Sequence, residues 1–369
     1  MKIRHKIGKV IKSSTIKRLL NYESGVYRKA SGTFAHRRKM AGVTFETSLP
    51  KQIEKTLLEE SNKNMLALID ENSPYFSKKQ LLKTNLNFIE VEVFSYCNRN
   101  CWFCPNSMID RRSENIYMSE ELYLSILKQL QEISFRGTIA FSRYNEPLAD
   151  RIILKRIEQA RQALPQVVLH TNTNGDYLND REYLDELARA GLNKLYMQCY
   201  LKNGEKFEKD NIISIMKKKM AKIGLEFEIA IQEESHILIK PKYSALQEFV
   251  YQAIDFNSHG VDRGGTISSL INYERSAPCF IPFSRMYIDF NGAVMPCCNF
   301  RSDVSEHQKF ILGDLNESSM AEIFSSSRAC KLRKQLCGFG KKLTPCGTCK
   351  FGVNSEVEKT IPELPDFRP

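Results

Sequence analysis

No apolar run in this 369-residue chain is long enough to cross a bilayer. No long apolar segment follows the basic residues at its start, so neither a membrane span nor a secretory signal is expected. A cytoplasmic location is the resulting expectation. No nucleic-acid-binding motif accompanies the positive charge, and DNA is not an expected partner. That charge, +11 in total, is uneven: residues 1–50 carry twelve Lys or Arg against Glu23 and Glu46, which leaves the rest of the chain close to neutral. The basic arm reads either as a solvated terminus or as a contact for a phosphorylated substrate or an anionic surface. Its composition does not choose between them.

Cysteine is plentiful by contrast. Eleven thiols in a chain without an export signal point away from disulfides and toward metal or redox chemistry. They fall into two groups, Cys97, Cys101 and Cys104, then Cys279, Cys297, Cys298, Cys330, Cys337, Cys346 and Cys349, with Cys199 alone between them.

Residues 1–85 read as a basic, mostly helical extension, with helices over Lys51–Glu60 and Asn62–Ile69. From Phe88 the pattern alternates. Strands are predicted at Phe88–Phe94, Thr138–Ser142, Val167–Thr171, Lys194–Cys199, Leu225–Ala230 and Gly265–Ser268. Helices are predicted at Ser119–Ile133, Arg151–Ala163, Asp180–Ala190 and Glu208–Ile223. Strands alternating with helices predict a parallel sheet covered by helices, an α/β fold with functional loops at the C-terminal strand ends. The cysteine loop, Asn145-Glu146-Pro147 and Asn174-Gly175 all fall at such ends. After about Ile271 the texture changes to a hairpin with Asn291-Gly292 at its turn, two short helices and the remaining cysteines, which predicts a small domain held by metal. The expected division is therefore 1–85, 86–270 and 271–369.

Cys97, Cys101 and Cys104 are spaced CxxxCxxC directly after a strand. Three thiolates on a four-iron cluster leave one iron open, the mark of a catalytic rather than a structural metal. Zinc would require a fourth ligand, and no His or Cys lies close in sequence. In the C-terminal group, Cys279, Cys297, Cys346 and Cys349 supply four thiolates from a hairpin and a distant CxxC, which suits either a complete iron–sulfur cluster or zinc.

The first cysteine motif, including Phe103 before the third thiol, resembles the signature of the radical S-adenosylmethionine superfamily. That resemblance implies a partial (β/α)6 TIM-like barrel in which a [4Fe–4S] cluster on Cys97, Cys101 and Cys104 chelates S-adenosylmethionine. It implies a 5′-deoxyadenosyl radical that takes hydrogen from substrate, and an electron donor such as flavodoxin or ferredoxin. Arg143-Tyr144-Asn145-Glu146-Pro147 resembles the family's strand-two motif, which binds the methionine amino group, although Asn145 stands where Gly is common. Thr173-Asn174-Gly175 resembles the strand-three end, and Gln198 is a candidate for the ribose. His170 is expected to pack within the barrel. Residues 279–349, with Pro296-Cys297-Cys298 and Leu312-Gly313-Asp314-Leu315, resemble the SPASM/twitch domains. No cysteine follows Cys349, which favours the twitch form: one auxiliary [4Fe–4S] cluster on Cys279, Cys297, Cys346 and Cys349. Cys298, Cys330 and Cys337 are then spare, with Cys337 an alternative ligand.

Twitch relatives include dehydrogenases of aminocyclitol alcohols, and related enzymes epimerise or deoxygenate sugars. The expected activity is accordingly oxidation, epimerisation or deoxygenation of a sugar-like or aminocyclitol small molecule. Epimerisation would need a hydrogen-atom donor, for which Cys199, Cys298 and Cys337 are candidates. A peptide-modifying enzyme is the alternative within the family, and a non-catalytic zinc-stabilised binding protein the alternative outside it.

Overall fold

The computed structural model describes residues 26–28, 34–40, 43–48, 59 and 62–352. The chain divides into two compact units, residues 1–77 and 78–369.

In the first unit, β1 (Val26–Arg28), β2 (Phe34–Met40) and β3 (Val43–Ser48) form an antiparallel sheet in that order. Met40 pairs with Val43. Val43, Phe45 and Thr47 alternate with Thr44, Glu46 and Ser48, a period-two pattern of β-branched and aromatic residues that suits a strand. The mostly helical extension expected here is therefore helical over residues 62–69 but β over 26–28, 34–40 and 43–48. The helix expected at Lys51–Glu60 lies outside the described residues except at Glu59.

The second unit is built on one ten-stranded sheet. Its strands are β4 (Phe88–Val91), β5 (Thr138–Ala140), β6 (Val168–Thr173), β7 (Lys194–Gln198), β8 (Phe227–Gln232), β9 (His236–Pro241), β10 (Glu248–Ile254), β11 (Arg285–Ile288), β12 (Ala293–Met295) and β13 (Gly313–Asp314), in spatial order β13-β12-β11-β4-β5-β6-β7-β10-β9-β8. The six strands from β11 to β10 in that order are mutually parallel. Helix α1 (Lys78–Asn85) precedes β4, and α2 (Glu120–Glu132), α3 (Ile152–Ala163), α4 (Arg181–Ala190) and α5 (Lys209–Ile223) follow β4 to β7 in turn. The Ser119 hydroxyl caps α2 by accepting from the Leu122 amide, and Leu122, Ile126, Leu127 and Leu130 form its buried face. Asp180 caps α4, which ends at Gly191 in the left-handed region at φ 106°.

Four of the predicted parallel strands are present as βα units, and the other two positions are filled differently. The segment expected as a fifth parallel strand, Leu225–Ala230, contributes to β8, which pairs antiparallel with β9 at the sheet edge. Its apolar alternation is common to edge and central strands, so the pattern does not fix the partner. Gly265–Ser268 is not a strand. Gly264 and Gly265 take φ of 67° and 86°, incompatible with an extended chain. The sixth parallel position goes to β11, the first strand of the Asn291-Gly292 hairpin, which pairs with β4. The sheet thus runs through the position at residue 271 where the texture of the sequence changes.

Gly137 sits where β5 meets β4. A Cβ there would lie 2.0 Å from the Asn87 carbonyl oxygen and 2.6 Å from the Phe135 ring. The Asn87 carbonyl also accepts from the Thr138 amide at 2.9 Å, so the backbone has little room to give. Gly137→Ala is expected to destabilise the unit by about 2 kcal/mol, in the range of core overpacking. An unchanged denaturation midpoint would contradict this account of the β4–β5 junction.

Candidate active site

The chain leaves β4 through Glu92–Tyr96 and enters the cysteine loop. The Cys97 amide donates to the Arg111 carbonyl at 3.0 Å, and the Cys104 amide to the Cys101 carbonyl at 2.9 Å, folding the loop back on itself. Arg99 grips Asp176 with two bonds, Nε to Oδ2 at 2.7 Å and Nη2 to Oδ1 at 2.6 Å, and reaches the Tyr200 carbonyl at 3.0 Å. Asn98 donates to Asp176 and accepts from Asn174 Nδ2 at 2.8 Å. Asn106 donates to the Tyr144 carbonyl. The loop is therefore pinned to the ends of β5, β6 and β7 by planar, charge-assisted bonds that fix orientation as well as position.

The sequence-predicted residues Cys97, Cys101, Phe103, Cys104, Asn145, Glu146, Asn174 and Gln198 all line one cavity of about 230 Å3 at these strand ends. Burial pushes the Cys97 thiol up to about 12 and the Cys101 thiol up to about 11. Thiolates are the metal-ligating form, so loading a metal here must release protons. Phe103 is stacked on Phe256 with ring centroids 3.5 Å apart and packs against Tyr200, Ile267 and Leu270. Glu146 accepts from the Leu148 amide at 3.0 Å, from the Asn174 amide at 2.7 Å and from the Thr173 hydroxyl. Burial raises its carboxyl to about 7, with these donors opposing the rise. A carboxylate has about four acceptor sites, so three donors leave room for one more. Asn145 Nδ2 is buried with no hydrogen-bond partner among the described residues. An unsatisfied buried donor beside a carboxylate fits an amino-acid ligand bearing both an ammonium and a carboxylate, the groups of a bound methionine moiety.

Among the described residues no three His, Cys, Asp or Glu side chains close into a single-ion site. Three thiols around a shared cavity, without a fourth ligand, suit a cluster several ångströms across with one open iron better than tetrahedral zinc. His170 packs against Tyr196 at 4.6 Å, with burial lowering it to about 4, as expected of a barrel residue.

In the second group Cys279, Cys297, Cys346 and Cys349 line a separate cavity of about 30 Å3 with Ile281, Phe300 and Leu336. Burial holds Cys297 well above the ordinary thiol range and Cys346 at about 12. Asn299 Nδ2 donates to Cys349 Sγ at 3.6 Å. Arg275 is buried and donates to the carbonyls of Ala277, Pro278, Cys349 and Phe351, which ties the Cys279 segment to the Cys346–Cys349 turn. Four thiols in an apolar pocket fit a closed cluster site. Cys330 and Cys337 do not line it, whereas Cys298 faces the first cavity.

Residues 91–199 match the family model for the radical SAM superfamily, and residues 279–350 match that for the SPASM iron–sulfur cluster-binding domain. The chain is a radical S-adenosylmethionine enzyme with a C-terminal SPASM-type domain. It is 25% identical, over 74% of its own length and 96% of the relative's, to an S-adenosyl-L-methionine-dependent 2-deoxy-scyllo-inosamine dehydrogenase from Niallia circulans. A crystal structure of BtrN in complex with AdoMet and 2-DOIA shares 25% identity and a TM-score of 0.50, covering 68% of this chain and 87% of that one. The cofactors of this radical S-adenosylmethionine enzyme are S-adenosylmethionine, its [4Fe–4S] cluster and an auxiliary [4Fe–4S] cluster.

The catalytic cavity also contains Glu90 and Arg263, which the sequence did not single out, with Arg143 of the strand-two motif and Cys298. Acidic residues in a strand buried on both faces were a usable signal for Glu90. Arg263 lies just before the segment expected as the last barrel strand and had no such signal, and Cys298 stood out only as a candidate hydrogen-atom donor.

Anaerobically reconstituted protein is expected to hold about eight irons per chain, the sum of two four-iron clusters. Replacing Cys97, Cys101 or Cys104 by Ala, or Cys279 or Cys349 by Ser, should reduce this to about four, and Cys298→Ser should leave it unchanged. Arg275→Gln should lower iron retention at the second cluster alone. Iron analysis showing stoichiometric zinc, or loss of all eight irons in every variant, would contradict two independent sites.

Proposed function

We propose that this enzyme oxidises an alcohol carbon of a small, sugar-like aminocyclitol or cyclitol to a ketone. The observation that carries the reading is the pairing of a polar, enclosed cavity beside Cys97, Cys101 and Cys104 with a second four-thiol pocket one residue from that cavity, at Cys297 and Cys298. Near-full-length similarity to an aminocyclitol dehydrogenase agrees with it.

In this reading Cys97, Cys101 and Cys104 hold the cluster that binds S-adenosylmethionine. Asn145 and Glu146 receive the methionine end, and Asn174 and Gln198 face the nucleoside, with Phe103 packed behind the loop. Cys279, Cys297, Cys346 and Cys349 hold the auxiliary cluster. Functionally the division falls at 86–270 for radical generation and 271–369 for the auxiliary site, although one sheet spans both. When bound, the cofactors would supply a 5′-deoxyadenosyl radical to take a hydrogen atom from the carbinol carbon and a one-electron acceptor which, with loss of the hydroxyl proton, completes the oxidation to the ketone. The chain's own part is positioning. The Arg99–Asp176 fork fixes the cysteine loop, Glu146 fixes the β5 and β6 ends together, and Phe103, Phe256 and Tyr200 close one wall against water. A low-potential donor of the flavodoxin or ferredoxin kind is the proposed protein partner, in the reducing setting of the cytoplasm.

The test uses 2-deoxy-scyllo-inosamine deuterated at its carbinol carbons, with the reduced, oxygen-free enzyme. Deuterium should appear in 5′-deoxyadenosine, with one ketone formed per cofactor cleaved. Cofactor cleavage without label transfer or ketone would reject the alcohol-oxidation reading while leaving the radical assignment standing.

A further inference from the structure

At the floor of the catalytic cavity, β4 and the end of β5 place Glu90 beside Arg143. The Arg143 guanidinium is fully buried and anchored on its far side, with Nε to Asp289 Oδ1 at 2.6 Å and Nη2 to the Phe300 carbonyl at 2.6 Å. Its remaining nitrogen, Nη1, has no hydrogen-bond partner among the described residues and lies 4.0 Å from Glu90 Oε2. The Glu90 side chain is 12% exposed, and its other oxygen takes only a long bond from Ser142 at 3.4 Å. Asn172 donates to that same Ser142 hydroxyl at 2.8 Å, so the serine is held. Arg263 lines the same cavity. Its Nε is likewise buried without a partner, and its backbone sits at φ 49°, an unusual conformation for a non-glycine residue and one found disproportionately at functional sites.

We propose that Glu90 and Arg143 form a subsite for an uncharged hydroxyl group of the substrate, so that this cavity selects alcohols over phosphate esters. This rests on the alcohol-oxidation reading above and adds the groups that recognise the alcohol.

A gap of 4.0 Å is too long for a hydrogen bond, yet a single oxygen can bridge it with about 2.8 Å on each side. The bridging group must accept from the arginine N–H and donate to the carboxylate. A hydroxyl does both. A phosphate or carboxylate accepts from Arg143 but meets the Glu90 charge, and an ammonium donates to Glu90 but meets two guanidinium groups. In an enclosed site such mismatches weigh heavily, because a polar group left unpaired there loses its hydration without replacement. Cys298 lines the same cavity.

The test is equilibrium binding at pH 8 to the cluster-loaded enzyme with S-adenosylmethionine present and no reductant. Three probes are compared: 2-deoxy-scyllo-inosamine, scyllo-inositol and myo-inositol 1-phosphate. At that pH Glu90 is ionised, since its carboxyl titrates near 7 under the opposing influence of burial and Arg143. The wild-type enzyme is expected to bind one or both unphosphorylated probes more tightly than the phosphate ester. Glu90→Gln should weaken the preferred probe about tenfold, the scale of losing a charge-assisted hydrogen bond, and should strengthen the phosphate ester. Glu90→Asp should recover part of the preference. Iron content and S-adenosylmethionine binding, measured on each variant, show that fold and clusters are intact. Tighter wild-type binding of the phosphate ester would overturn the proposal, as would a Glu90→Gln variant with unchanged preferences, which would mean the gap holds solvent only. A wild-type enzyme that binds none of the three would reject the substrate reading on which the subsite rests.

Discussion

The fork between Arg99 and Asp176 joins the loop after β4 to the loop after β6, and the active site depends on that junction. A parallel sheet brings its C-terminal strand ends together, but the loops there are connected only through their strands and would otherwise move independently. Here Arg99 bonds to Asp176 and to the Tyr200 carbonyl, while Asn98 joins Asp176 and Asn174. Glu146 works in the same way one layer deeper, joining the turn after β5 to the end of β6. The thiols are thus carried on a loop held by neighbouring loops before any metal arrives. Such an arrangement lowers the ordering cost of assembling a cluster on these thiols.

The second unit couples its two cysteine sites through the sheet itself. β11 pairs with β4, the strand that leads into the first cysteine loop, and β12 leads directly into Cys297 and Cys298. Adjacent residues therefore face different chemistry: Cys297 lines the auxiliary pocket and Cys298 the catalytic cavity. A short covalent path between the two sites is a direct consequence of strand pairing.

Much of the site was legible in the sequence because its residues lie in short motifs at strand ends. CxxxCxxC after a strand, Asn145-Glu146-Pro147 and Asn174-Gly175 each announce themselves locally, and the structure gathers them around one cavity. The four βα units from β4 to β7 were legible too, since capping residues such as Ser119 and Asp180 and the glycine at 191 mark their helices. What was hidden depends on long-range pairing. The antiparallel placement of β8, the parallel strand β10, the recruitment of β11 to the barrel sheet and the β1-β2-β3 sheet follow from which strand finds which partner, which apolar alternation does not encode. Glu90 and Arg263 were missed, and Arg143 was seen only as part of its motif, for a related reason: they meet across strands and segments far apart in sequence.

The central claim is that the loop holding Cys97, Cys101 and Cys104 carries a cluster with one iron open to S-adenosylmethionine. Electron paramagnetic resonance of the reduced Cys279→Ser protein, which leaves the first cluster as the only paramagnet, tests it directly. The spectrum of a reduced [4Fe–4S] cluster should change when S-adenosylmethionine is added, and amino-15N cofactor should show hyperfine coupling to the iron. A reduced-cluster signal that is indifferent to the cofactor and free of nitrogen coupling would contradict the account.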